Sequence, residues 1–122
     1  VSSYVSILND CAYSLENHWK NAAHLIDDIK KSEAIEKALW SRTPQDMFEG
    51  MELEMLRYAE KLTLRPSAMV HEDVLALKKV GAGDGEILEL NQIVGYFNYV
   101  NRLLNGLGVT TSGDTVGFYR AD

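Results

Sequence analysis

The sequence predicts an all-α fold, a bundle of five or six helices with an extended C-terminal arm. Three observations lead there. Apolar residues recur at helical spacing through most of the chain. No segment shows β alternation. Capping residues, glycines and prolines punctuate the pattern at intervals of one helix. With 122 residues, 46% of them hydrophobic, residues 1–122 are expected to form a single domain with a real core.

Taken in order, residues 1–8 resemble the later turns of an apolar helix, with Val1, Val5 and Leu8 on one stripe and no start signal. The chain is therefore expected to lack an N-terminal piece. Asn9-Asp10 can cap a helix beginning at Cys11, with Cys11, Leu15, His18, Trp19, Ala22, Leu25 and Ile26 on one face. A half-formed capping signal at Ser32 opens a helix over 32–40. Thr43-Pro44-Gln45-Asp46 supplies a cap, a first-position proline and a first-turn acid for a helix running to residue 63, which Arg65-Pro66 ends. A shorter helix over 71–80 stops at Gly81-Ala82-Gly83. Asp84 then caps the longest helix, 84–105, with Leu90, Ile93, Val94, Phe97, Val100 and Leu104 inward, and Asn105-Gly106 with Gly108 break it. The tail 109–122 is rich in Thr, Ser and Gly but carries Val116, Phe118 and Tyr119, the pattern of an arm that packs on something.

Composition excludes several classes. Lys and Arg total 12 against 18 Asp and Glu, a net charge of -6, which disfavours a phosphate-tracking surface and nucleic acid as partner. No apolar run approaches the ~20 residues needed to cross a bilayer, and the opening residues have no signal-peptide character. No membrane association is expected. The single cysteine, Cys11, allows no internal disulfide, which fits a reducing, cytoplasmic setting.

Cys11, Ser14 and His18 carry the candidate chemistry. At spacings of three and four residues they stack on one helix face. The free N–H groups and dipole of a first turn favour an anion near Cys11, an effect that Asp10 opposes. His18 can shuttle a proton at neutral pH, directly or through water. The plain alternatives are an inert core cysteine and a satisfied polar residue at the core edge.

The segment Asn9-Asp10-Cys11-Ala12-Tyr13-Ser14-Leu15-Glu16-Asn17-His18 resembles the Asn-x-Cys-x-Tyr-Cys-x-x-x-His signature of the alkylhydroperoxidase D-like (carboxymuconolactone decarboxylase) superfamily, in its peroxidase-related branch. Tyr58-Ala59-Glu60-Lys61-Leu62-Thr63 with Arg65-Pro66 is similar to the family's middle helix. So are Glu86-Ile87-Leu88-Glu89-Leu90-Asn91, Tyr96-Phe97-Asn98-Tyr99-Val100-Asn101-Arg102 and Gly106-Leu107-Gly108-Val109 further on. The resemblance implies the alkylhydroperoxidase D-like helical bundle and an antioxidant thiol peroxidase. One cysteine attacks the peroxide and becomes a sulfenic acid, and the other resolves it to a disulfide that an external thiol or dithiol re-reduces. Carried over, Cys11 matches the first cysteine, Ser14 the second and His18 the relay histidine. Ser14 departs from the pattern. The cysteine nearer the histidine is the one usually taken as peroxide-reactive, and a hydroxyl can form neither sulfenate nor disulfide, so the two-cysteine cycle cannot run within this chain.

The family pattern also places a glutamate just ahead of Val1. The resemblance further implies a small hydroperoxide substrate, no cofactor, no metal and a homo-oligomer, trimer or hexamer. Three readings stay open: a peroxidase-related enzyme with a degenerate Cys-x-x-Ser motif, a non-catalytic oligomeric helical scaffold that has lost its redox chemistry, and a two-cysteine protein in which Ser14 replaces cysteine by engineering to trap a state.

Among other candidates, His24 with Asp27 and Asp28 holds one imidazole and no second histidine at ligand spacing, so a solvated acidic face is the ordinary explanation. His71-Glu72-Asp73 reads as helix-start capping. Asn98, Asn101 and Arg102 read as helix or subunit contacts. Trp19, Trp40, Met47, Met51 and Met55 read as core or interface packing.

Overall fold

The structure, a computed structural model, describes residues 1–117. It is all-helical: α1 (Ser2–Leu8), α2 (Ala12–Ile26), α3 (Ile29–Trp40), α4 (Gly50–Leu64), α5 (His71–Lys79) and α6 (Asp84–Leu107), with 3₁₀ turns at Pro44–Asp46 and Pro66–Ala68. Among the described residues there is no strand.

The short α1 is the hub. Residues 3–8 are all buried, and α1 packs against α2, α3, α4 and α6, as a helix without a polar face must. Val5 enters one apolar cluster with Ala59, Leu77, Leu90 and Val94. Tyr4, Ile7 and Leu8 enter a second with Ile35, Leu39 and Leu56.

Where α1 hands over to α2, Asp10 takes a left-handed conformation, φ 50°. Its N–H donates to Ile7 O and that of Cys11 to Ser6 O, at 3.0 and 2.9 Å. These two bonds form a Schellman stop for α1. Cys11 is at once the last residue of that stop and the N-cap of α2. The same pattern closes α3, where Arg42 is left-handed at φ 56° and the N–H groups of Arg42 and Thr43 reach Leu39 O and Ala38 O.

Several sequence expectations are corrected. The second helix starts at Ala12 with Cys11 outside it, and Asn9-Asp10 serves α1's end rather than α2's start. Leu25 is not on the inner face but 70% exposed. The third helix begins at Ile29, because Asp28 accepts from Lys31 N–H at 3.0 Å and caps it earlier than Ser32 could. Thr43-Pro44 opens only a 3₁₀ turn, and α4 starts afresh at Gly50, whose φ of 56° suits glycine. Gly83, not Asp84, is the N-cap of α6, and its N–H donates to Glu86 Oε2 at 2.8 Å. Gly106 stays helical, and α6 ends at Gly108, φ 65°. Trp40 and Met47 are exposed, so of the core and interface alternatives the core one does not hold for them.

Beyond α6 the described part of the arm is non-helical and lies along α2, with Gly117 N–H donating to Asn17 Oδ1 at 3.0 Å. Phe118 and Tyr119 lie outside the described residues. No helix among the described residues is long and apolar enough to cross a membrane.

Candidate functional site

Cys11, Ser14 and His18 fall along one unbroken segment: N-cap, first turn and second turn of α2. With about 3.6 residues per turn, Ser14 and His18 share a side of α2, whereas Cys11 precedes the helix with a non-helical backbone, φ -102° and ψ 88°. Their surroundings differ. Cys11 is 1% exposed and Ser14 3% exposed, whereas His18 is half-buried.

The backbone of Cys11 is fixed on both sides, its N–H donating to Ser6 O and its carbonyl accepting from Leu15 N–H at 3.0 Å. Its side chain makes no capping hydrogen bond. Because the Cys11 N–H is already engaged, the anion-favouring groups of the first turn are those of the residues that follow.

Ser14 does not pair with His18. Its hydroxyl is 2.8 Å from that of Ser6 in a fully buried hydrogen bond, and Ser6 also accepts a long 3.5 Å contact from Asn101 Nδ2. Asn101, 0% exposed, accepts from Asn9 Nδ2 at 3.1 Å, which also donates to Asn98 Oδ1 at 3.0 Å. Asn98 donates to Thr63 Oγ1, and Asn105 donates to Asn9 O, both at 3.0 Å. The result is a knot of amides and hydroxyls joining α1, α2, α4 and α6, met at its exposed edge by Arg102, which donates to Asn98 Oδ1 at 2.9 Å. Among the described residues no buried side-chain N or O lacks a partner, so the knot is complete. Asn98 and Asn101 are thus helix contacts.

His18 meets α6 through an edge-to-face contact with Phe97, ring centres 4.7 Å apart. Burial pushes its pKa down from the ordinary value, which favours the neutral imidazole, a proton acceptor, at neutral pH.

Two cavities flank the bundle, and neither is lined by Cys11, Ser14 or His18. One, about 430 Å³, is mainly apolar and lies between Trp19 of α2 and Ile35, Leu39 and Met55 of α3 and α4. The other, about 420 Å³, is charged, with Arg42, Lys61, Arg65 and Asp73 on its walls. Among the described residues no group of three His, Cys, Asp or Glu is placed to hold a metal ion. Asp28 beside His24 is committed to the α3 cap.

Two residues escaped the sequence reading. Ser6, the partner of Ser14, lies eight residues away across a turn that pattern alone did not specify. Asn105, whose amide donates to Asn9 O, continues the Asn98 and Asn101 series at a spacing of four, a visible signal.

The fold is similar to that of an uncharacterized peroxidase-related protein from Silicibacter sp. TM1040. The two match with a TM-score of 0.79 at 24% sequence identity, over 89% of this chain and 55% of that one. The chain thus spans about half the length of that protein. No family model and no curated protein matches the sequence.

Proposed function

We propose that the chain is a peroxidase-related protein of the alkylhydroperoxidase D-like superfamily that reduces small hydroperoxides through one thiol. The observation that carries this reading is the placement of Cys11 at the N-cap of α2, with Ser14 in the first turn of that helix and the half-buried imidazole of His18 in the second. Likeness in fold to a protein titled peroxidase-related supports it.

The chemistry is a one-cysteine cycle. His18 takes the thiol proton, and the Cys11 thiolate attacks the terminal oxygen of ROOH. The O–O bond breaks, Cys11 becomes a sulfenic acid, and the departing alkoxide takes the proton back as ROH. An external thiol then attacks the sulfenate sulfur, releasing water and leaving a mixed disulfide. A second external thiol frees Cys11 and carries away the other as a disulfide. Two thiols are oxidised for each hydroperoxide reduced. Ser14 takes no redox part. At 1% exposure Cys11 reacts only when the α1–α2 junction opens, so turnover is slow.

The test is peroxide treatment followed by dimedone labelling, with organic-hydroperoxide turnover measured for wild type and Cys11→Ala. Sulfenate on Cys11 and loss of turnover in the variant are expected. Full turnover by Cys11→Ala sinks the reading. A second reading, a non-catalytic helical scaffold, is favoured by the burial of Cys11 and the completeness of the polar knot around Ser14; no turnover in any variant, with an intact oligomer, is its expected result.

Assembly as a homo-oligomer, trimer or hexamer, and a cytoplasmic, reducing location belong to the same proposal. Tyr96, Tyr99, Leu103 and Leu107 lie exposed at helical spacing on α6, an apolar face that a second subunit would cover. Light scattering that returns the monomer mass at micromolar concentration counts against assembly.

A further inference from the structure

We propose that the charged cleft between α4, α5 and the α3–α4 connection is a binding site for a small oxyanion, a molecule presenting a carboxylate or a phosphate. The chain carries 12 Lys and Arg and a net charge of -6, yet four of those cations, Arg42, Arg57, Lys61 and Arg65, line this one cavity.

The carboxylates beside them are already engaged. Glu54 pairs with Arg57 at 2.6 Å, Asp73 is held by Lys61 through both oxygens at 2.8 and 2.7 Å, and Glu60 accepts from the hydroxyl of the buried Tyr4. Four cations stand against three carboxylates. Among the described residues neither Arg42 nor Arg65 is within ion-pair distance of a carboxylate, although Arg65 still acts on Asp73 and Arg42 on Tyr4. The cleft therefore keeps an excess of one positive charge and two guanidiniums able to turn to a guest. Their backbones are fixed. Arg65 leads into Pro66 with its N–H on Lys61 O at 2.8 Å. Arg42 occupies a left-handed Schellman position, φ 56°, where glycine is the favoured residue. At about 420 Å³ the cleft has the size of a small-molecule site, roughly 300–1,000 Å³, and not of a protein-docking surface.

The site is independent of the thiol chemistry, since Cys11, Ser14 and His18 do not line it. It is tested by calorimetric titration of the full chain with inorganic phosphate and, separately, succinate, at low and high sodium chloride. Saturable binding of at least one anion, with Kd below about 1 mM and weakened by salt, is expected. Phosphate alone assigns the site to phosphorylated molecules, succinate alone to carboxylates, and both to the shared oxyanion chemistry. Arg42→Gly relieves the backbone and keeps the fold, so it is expected to raise the melting temperature while weakening binding by about tenfold, as is Arg65→Gln in binding alone. Lys30→Gln, outside the cleft, leaves affinity unchanged. Saturation by neither anion up to about 10 mM, or unaltered affinity in both arginine variants, overturns the proposal.

Discussion

Two polar places meet α1, and they are built on opposite principles. Around Ser6, Ser14 and Asn101 the groups are neutral, buried and paired with one another. Around Tyr4 and Glu60 the groups are charged and open to solvent, and two of the cations are not within ion-pair distance of a carboxylate. A complete buried network gains from low dielectric and loses heavily when one member is removed. An exposed charged cleft has little stake in any one residue. The first place holds the fold and the Cys11 junction, and the second is free to engage something else.

The comparison is most easily broken at Asn101. Asn101→Leu strips Asn9 of an acceptor and Ser6 of a donor inside the bundle, and a cost of about 2–4 kcal/mol in urea unfolding is expected. Arg65→Gln in the cleft is expected within about 0.5 kcal/mol of wild type in the same assay. If the two variants unfold together, the distinction between the places is lost.

Ser14→Cys sharpens the contrast from the chemical side. A thiol is a poor hydrogen-bond partner for Ser6, so a loss of about 1 kcal/mol is expected. The variant also regains a second sulfur one turn from Cys11. Under the thiol-peroxidase reading it gains an internal disulfide on peroxide treatment, read by mass, and faster turnover; a variant that stays fully reduced under excess hydroperoxide contradicts that reading.

Legibility in the sequence followed the same division. Helical periodicity marked α6, which buries Ile87, Leu90, Val94 and Asn101, and α2, where Leu15, Trp19 and Ile26 are partly buried against the core; Val5 and Leu8 marked α1 as an apolar helix, although Val1 is its exposed N-cap. Helix starts were read less well, because capping depends on backbone conformation rather than residue type alone. Thr43-Pro44 carries a sound start signal, yet the chain leaves the helix again before Gly50. Asp28 caps α3 only because Asp27 turns left-handed just before it. In the site, the spacing placed Ser14 and His18 one turn apart on α2, but the Ser6 partner of Ser14 was not visible. A Schellman stop with aspartate instead of glycine at its left-handed position gives no strong signal, and without that turn Ser6 and Ser14 share no periodicity.

That aspartate yields a smaller prediction. Asp10 is exposed and sits at φ 50°, where glycine carries no steric penalty. Asp10→Gly is expected to stabilise by about 0.5–1 kcal/mol at most, the unfolded chain's greater freedom taking back part of the gain. Destabilisation in thermal melts would mean that the Asp10 side chain holds the Cys11 junction by something other than backbone conformation.

The smallest effect concerns His18, at the border between the buried knot and solvent. Burial lowers its pKa in the folded state, whereas in the unfolded chain an imidazole titrates near about 6.5. The unfolded state therefore binds the proton more readily. The contribution of His18 to stability is fully present above about pH 6.5 and is lost as pH falls through the lower folded value. Half exposure screens the effect, so a shallow decline is expected, ahead of the carboxylate transitions that begin near pH 4–5. His18→Gln should flatten the curve just below about pH 6.5. An identical slope in the variant would mean that the imidazole exchanges protons as freely as in the unfolded chain, and a freely solvated imidazole of that kind would be held less firmly against Phe97 than a base facing Cys11 requires.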